Sequence, residues 1–299
     1  GTNAYVGRTG VFTGGANAAY YLRPDGAAAV DGRRWFTNVT EGAKRQAPNV
    51  RMELEHELVY EVVRGRDLTR WASRSGGLLL FPHSRETRMR ALPPAHMLAR
   101  YPLAFSYLTR MRTTLDQRKG FTRWERGFQA EAFYAVQRVG DYTFAPYKVA
   151  WRYIANDFLV SVIGPDAQGR PRLPNDKLMF VGVEDEAEAF YLCGVLSSDP
   201  FRWKVTAYAA GTQISASAIE PLGVARYRPA LPLHAEISHA CRAGHRELLE
   251  DKTPGATEAL MRINTAVASL FGIEDVSMRE FRAELERVHR TDWQPLHGT

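Results

Sequence analysis

Short runs rich in aromatic and β-branched residues occupy most of the first two thirds of the chain, whereas after Pro232 apolar positions recur every three to four residues. Residues 18–22, 78–81, 142–153, 158–163 and 178–183 are such runs, each bounded by Gly, Pro, Asp or Asn, and they predict strands. Helices interrupt them. Over residues 101–119, Phe105, Leu108, Met111 and Leu115 keep helical spacing and leave Arg110, Arg112, Asp116 and Arg118 on other faces, which predicts an amphipathic helix with a basic side. A second helix is expected after Asp185, with acids in its first turn suited to the helix dipole, running through Ala189, Tyr191, Leu192, Val195 and Leu196 to a stop at Pro200. Beyond Pro232 the pattern predicts helices over 233–250, 257–271 and 278–290, the last opened by a capping box of Ser277 and Glu280. The expected class is α+β: a mixed, strand-rich body with inserted helices in residues 1–230, then an all-helical segment in 231–299.

Composition narrows the class. With 299 residues, 45% apolar and 24% charged, the chain can bury one sizeable core or two smaller ones without staples. Cys193 and Cys241 are its two cysteines, too few for a disulfide framework or a multi-cysteine metal site, and both read as core residues of a cytoplasmic protein. An apolar stretch of about 18 residues, the length a membrane span requires, is missing, so no membrane partner is expected. The abrupt opening at Gly1, inside a strand-and-loop pattern, reads as an excised or processed piece.

Charge is unevenly distributed. Residues 1–180 hold 27 Lys and Arg against 16 Asp and Glu, whereas residues 181–299 hold 12 against 17. The window 64–126 carries 14 basic residues against four acidic ones. Such a concentration favours a polyanion, because each neutralised phosphate releases condensed counterions. The expectation is one concave electropositive surface that faces a nucleic acid.

Residues 6–22 read V-G-R-T-G-V-F-T-G-G-A-N-A-A-Y-Y-L, in which Gly7, Gly10, Gly14 and Gly15 alternate with Arg8, Thr13 and Asn17. The spacing fits neither the phosphate loop of nucleoside triphosphatases nor the dinucleotide fingerprint. A structural hairpin and a loop whose backbone approaches an anionic ligand both remain open. Catalytic patterns are not found. His234, His239 and His245 lie five and six apart, off the i, i+4 spacing of zinc ligands, and read as ordinary helix residues. Glu250-Asp251-Lys252 matches only the last fragment of a metal-dependent nuclease site. Pro93-Pro94 lies between Leu92 and Ala95, so the D/N-P-P-Y/F motif that holds a flipped base in amino-methyltransferases is absent, as is a glycine-rich donor loop. No catalytic residue and no metal ligand is assigned.

Several blocks taken together resemble a known family. The opening run, E-L-V-Y-E-V-V-R-G-R-D-L-T-R-W at 57–71, L-L-L-F-P at 78–82, Y-P-L-A-F-S-Y-L and L-D-Q-R within 101–118, and F-A-P-Y-K-V-A-W-R at 144–152 are similar to successive segments of the C-terminal target-recognition region of adenine-specific DNA methyltransferases of the restriction-modification class, including type IIG enzymes. L-P-N-D-K at 173–177, E-A-E-A-F-Y-L-C-G-V-L-S-S-D-P at 186–200, G-T-Q-I-S at 211–215 and P-L-G-V-A-R-Y at 221–227 continue the series in the same order.

The resemblance implies a non-catalytic module that reads double-stranded DNA in a modification or phage-defence system. It also implies a methyltransferase catalytic domain or subunit as partner, which would use S-adenosylmethionine; this chain would hold no cofactor. The residues it suggests for DNA contact are Arg8, Thr13, Asn17, Arg64, Arg66, Arg70, Arg110, Arg112, Arg118, Lys119, Lys148, Arg152, Thr212, Gln213 and Ser215. Asn17 suits adenine, since an amide pairs with it at two atoms. Asp67 offers Arg66 a structural partner, and Trp71 and Trp124 read as core residues before they read as wedges between base steps. Arg112→Ala or Arg118→Ala is expected to weaken binding to all duplexes and lower its salt dependence. Two other classes fit the same features: a protein-interaction scaffold that docks its acidic helical tail on a methyltransferase subunit, and a metal-dependent nuclease domain.

Overall fold

The computed structural model describes residues 3–26, 31–208 and 213–288. The class is mixed α and β, with a helical C-terminal segment, as the patterning predicts. In chain order the strands are β1 (Arg8–Thr9), β2 (Tyr21–Pro24), β3 (Arg33–Asn38), β4 (Arg51–Glu55), β5 (Val59–Val63), β6 (Leu68–Thr69), β7 (Ala72–Ser73), β8 (Leu78–Leu80), β9 (Tyr147–Arg152), β10 (Val160–Ile163), β11 (Leu173–Pro174) and β12 (Leu178–Val183). One sheet has the order β1-β12-β9-β10 and is antiparallel throughout, with Phe180 opposite Ala150 and Ala150 opposite Ser161. The other runs β11-β5-β8-β2-β3-β4, its β11–β5 pair parallel with Leu173 opposite Val62. A small hairpin pairs β6 with β7.

The helices are α1 (Asn17–Tyr20), α2 (Pro94–Arg100), α3 (Pro102–Arg110), α4 (Arg112–Asp116), α5 (Arg123–Glu131), α6 (Glu186–Ser197), α7 (Asp199–Tyr208), α8 (Pro232–Leu249), α9 (Thr253–Phe271) and α10 (Asp275–Val288). Asp185 caps α6 by accepting from Glu188 N at 2.7 Å, so the acidic start read in the sequence has a direct cause. Strand alternation distributes the four-stranded sheet between two apolar clusters. Val149, Trp151, Met179 and Val181 join α6, α8 and α9 in the larger one. Ala150, Leu178 and Phe180, from the opposite face, meet Val63 and Leu68. A third cluster lies between the six-stranded sheet and the Met97, Ala104, Leu108 and Leu115 side of α2, α3 and α4.

Several boundaries differ from the expectation. Residues 18–20 form the helical turn α1, because Tyr20 is buried with its hydroxyl donating to Tyr134 O at 2.8 Å, and extended structure starts only at Tyr21. The run 142–153 opens as a 3-10 turn over Asp141–Phe144 and becomes strand after Pro146. The helix over 101–119 is broken at Met111, where ψ is 3°. Ser277 lies inside α10, which starts two residues earlier; a capping box of the expected kind is made by Thr122 and Glu125 at the head of α5.

Residues before and after position 230 share a core. Tyr5, Trp71 and the β9–β10 residues pack with Ile237 and Cys241 of α8 and Ile263 and Val267 of α9 in one continuous cluster. Small residues make that packing possible: a methyl group on Gly244 would lie 2.2 Å from Trp71 Cζ3, and one on Gly194 2.6 Å from Ile237 Cγ2.

Candidate nucleic-acid interface

The glycines of the opening run face the protein itself. A Cβ at Gly7 would lie 2.0 Å from Ala216 O, and one at Gly10 2.1 Å from Asn175 O, so these positions let β1 press against two later segments. Gly14 and Gly15 adopt φ of 68° and 81°, which turns the chain into α1. Of the two readings left open, the approach of backbone to a ligand is not what Gly7 and Gly10 provide. Past them the chain holds both halves of the body: Val11 bridges Asn175 in parallel, and Phe12 bridges Gln137 in antiparallel fashion with hydrogen bonds of 3.1 and 3.0 Å. Thr13 is buried and donates to Asn17 Oδ1 at 2.5 Å, whereas Asn17 is exposed.

Next to this strand lies a cleft of about 390 Å³ lined by Arg64, Gly65, Arg66, Arg152, Ile154, Asn175 and Lys177. The 3-10 turn Gly65–Asp67 shapes one wall. The Asp67 carboxylate, buried beneath the turn, accepts from Arg64 N at 3.0 Å and Arg64 Nε at 2.8 Å. It fixes the Arg64 guanidinium at the rim, so the anticipated partner of Asp67, Arg66, is left exposed. Arg152 donates through Nε to Leu68 O at 2.8 Å; burial lowers its pKa from a very high ordinary value. Lys177 is 60% exposed and meets Asp176 at 3.1 Å. Gly65 admits it: a Cβ there would be 3.1 Å from Lys177 Cβ. Gln213 joins the edge through a bridge to Ile154 and a 2.9 Å hydrogen bond from Tyr153 OH. Four cations thus line one cleft beside the exposed Gln213 and Ile154, while Asn175 is buried with its Oδ1 accepting from Lys177 N at 3.1 Å; the arrangement can take phosphate oxygens on the arginines and present the Gln213 amide to a base edge.

The structure brings together Arg64, Arg66, Arg152 and Gln213 of the sequence candidates and adds Asn175, Lys177 and Ile154. The block L-P-N-D-K already carried two of those additions, but its lysine stands alone between acids and apolar residues, a weak signal in one dimension. Arg118 is a correction. It is buried, with Nε donating to Leu115 O at 3.0 Å, Nη1 to Ala135 O at 2.6 Å and Tyr20 OH at 3.0 Å, and Nη2 to Phe133 O, so it clamps α4 to the 133–135 segment. Lys148 is a second: no part of it reaches solvent, Nζ donates to Ala145 O at 2.5 Å, and burial lowers its pKa to about 7. Arg70 and Thr13 are also buried and present no surface to a duplex. Arg110, Arg112 and Lys119 are exposed, Arg112 held by Asp116 at 3.0 Å and over the Phe133 ring at 4.2 Å. Arg8 is exposed over Tyr142, Ser215 is exposed beside Ser217, and Thr212 lies outside the described residues.

The arginine-dense window does not form one continuous wall. Arg85, Arg88, Arg90 and Arg100 meet Glu184, Asp141, Glu131 and Glu57 respectively in exposed pairs, the first two of them bordering one cavity together with Arg8. In the cleft Arg64 and Lys177 also have carboxylate partners, Asp67 and Asp176, and positive charge without an ion pair among the described residues sits on Arg66 and Arg152 there and on exposed side chains such as Arg110 and Lys119.

Cys193, Cys241 and His245 lie together in the core with candidate ligand atoms within 4.8 Å of one another. The helical spacing of Cys241 and His245 carries little signal in the sequence, because Cys193 comes from a different helix. Val162 N–H donates to His245 Nε2 at 3.2 Å, which places the lone pair there and the proton on Nδ1, 2.8 Å from Cys241 O. Both ring nitrogens are therefore committed to backbone groups, and burial pushes the Cys241 thiol well above its ordinary value. The cluster works as a satisfied core network in its present geometry and is a poor match to a metal site, which needs a free imidazole lone pair and thiolates.

No protein-family model matches the chain, and no curated protein matches it by sequence. Its structure is similar to that of the Type IIL restriction-modification enzyme MmeI, solved in complex with DNA, with a TM-score of 0.57 and 11% sequence identity. The likeness covers 96% of this chain and 35% of that enzyme, so the chain spans about a third of the neighbour's length. At this identity the shared property is the fold.

Proposed function

We propose that the chain is a sequence-specific double-stranded DNA recognition module of a restriction-modification or phage-defence DNA methyltransferase. The observation that carries the reading is the convergence of Arg64, Arg66, Arg152 and Lys177 on one cleft with Asn175, Gln213 and Ile154 at its edge. Phosphate contacts from the cations set register, and the exposed Gln213 amide with Ile154 addresses base edges, the apolar side chain suiting a thymine methyl group. The fold likeness to an enzyme solved in complex with DNA supports the same class. Adenine as the target, S-adenosylmethionine as donor and a methyltransferase catalytic domain as partner complete the proposal; this chain contributes recognition and no chemistry.

Arg66→Ala with Lys177→Ala tests it. Anisotropy titrations of labelled duplex across a salt series are expected to show weaker binding to every sequence and a salt slope reduced by about two. Unchanged affinity and slope in that variant would remove the cleft from the interface.

A further inference from the structure

Helix α5 is anchored from one side only. Its Glu125 faces inward, accepting from Thr122 N at 2.9 Å and from Arg138 N at 3.0 Å, and Phe128 lies beneath the Arg90 guanidinium at 5.3 Å. No residue of the helix is buried. At 3.6 residues per turn, the side opposite Glu125 carries Arg123 and Gly127 at its centre, with Trp124 and Arg126 flanking them. Trp124 is 78% exposed, above every other large apolar side chain among the described residues. Arg123, Arg126 and nearby Lys119 are exposed, and none forms an ion pair among the described residues. Gly127 stands in open space, where a Cβ would meet nothing within 4 Å. A glycine there weakens the helix with no packing reason inside the chain.

These features select one kind of occupant. Unpaired guanidinium groups ask for an anion, the indole face asks for a planar or apolar surface, and the bare glycine allows a ligand backbone to come close. A nucleic-acid strand has all three properties in one repeat. The position agrees. Consecutive residues of the opening strand tie the cleft to the root of α5: Val11 bridges Asn175, a cleft residue, while Phe12 bridges Gln137 and lies under the Arg138 guanidinium at 5.0 Å.

We propose that α5 is a second nucleic-acid contact, lying along the DNA that passes the basic cleft, with Trp124 against a base or sugar face and Arg123, Arg126 and Lys119 on phosphates. This rests on the DNA-recognition reading and extends it to a surface with its own chemistry.

The test is anisotropy of a labelled mixed-sequence duplex with the whole chain. W124A is expected to weaken binding about tenfold and W124F to restore most of it, as stacking by an aromatic ring requires. R123Q with R126Q should lower the salt slope by about two. G127L should raise the melting temperature while weakening binding, a split that a purely structural helix would not show. If these variants bind as the wild type does while Arg66→Ala with Lys177→Ala loses affinity, α5 is no contact and the DNA-recognition reading stands. If the wild type binds no duplex at low salt, both fall. Loss of self-association in R123Q with R126Q, with duplex binding intact, would assign α5 to a second copy of the chain and overturn the proposal.

Discussion

A buried arginine is held by the carbonyls it satisfies, and Arg118 touches three of them as well as the Tyr20 hydroxyl. Removing it strands those acceptors without solvent, so Arg118→Ala is expected to lower unfolding stability by about 3 kcal/mol in denaturant titrations. Its effect on the salt slope of DNA binding should be nil, in contrast to the expectation from sequence. Lys148 gives the pH-dependent counterpart. Its folded pKa of about 7 lies below the ordinary 10.5 because burial disfavours the charged form. Between those values the unfolded chain holds a proton that the folded chain lacks, so this group's contribution declines as pH falls from about 10 to 7. Below that window both states are protonated and the penalty is constant. Lys148→Met is therefore expected to stabilise the fold by about 2 kcal/mol at pH 7, with the gain shrinking toward pH 10, as measured by urea unfolding at several pH values.

Among elements, those whose residues are apolar on their own account are legible in the sequence. The strand Leu178–Val183 and helix α6 stand where the pattern puts them, because both are buried almost throughout and owe little to distant partners. Elements whose conformation depends on a remote contact depart from the pattern. The turn α1 follows from Tyr20 reaching Tyr134, and the exposed α5 is faint in the sequence because Phe121, Trp124 and Phe128 make too short an apolar series, although T-R-W-E spells its cap. The same reason governs the candidate site. Arg64 and Arg66 are visible as neighbours, but Arg152, Asn175 and Lys177 reach them only through sheet pairing. At this scale the tight element is β1. Gly10→Ala would press a methyl group against Asn175 O, and the backbone there cannot yield without breaking the Val11–Asn175 bridge. A loss of about 2 to 3 kcal/mol is expected in thermal or denaturant unfolding, with DNA affinity reduced in proportion to the disturbed cleft.

For the whole molecule, the larger core cluster runs from Tyr5 through Trp71 and α6 to Val267. A chain cut at residue 230 would expose the apolar side of α6 and the Trp71 ring, and is expected to aggregate or to lose its near-ultraviolet circular dichroism. The intact chain should unfold in one transition, with fluorescence and far-ultraviolet signals coincident. Two separated transitions would instead support independent units on either side of residue 230.

The seating of the first described residues has a further consequence. Ala4 N donates to Val224 O at 2.9 Å, Tyr5 OH accepts from Tyr227 N at 3.0 Å, and Val11 pairs with Asn175. During translation these residues leave the ribosome before the segments that receive them, and more than 200 further codons must be read before Tyr227 exists. The basic cleft itself is complete only once Asn175 and Lys177 have been made, well after the opening strand that pairs with it. An aborted product ending ahead of Asn175 would lack that cleft and, on the proposed DNA-recognition reading, the phosphate contacts made there.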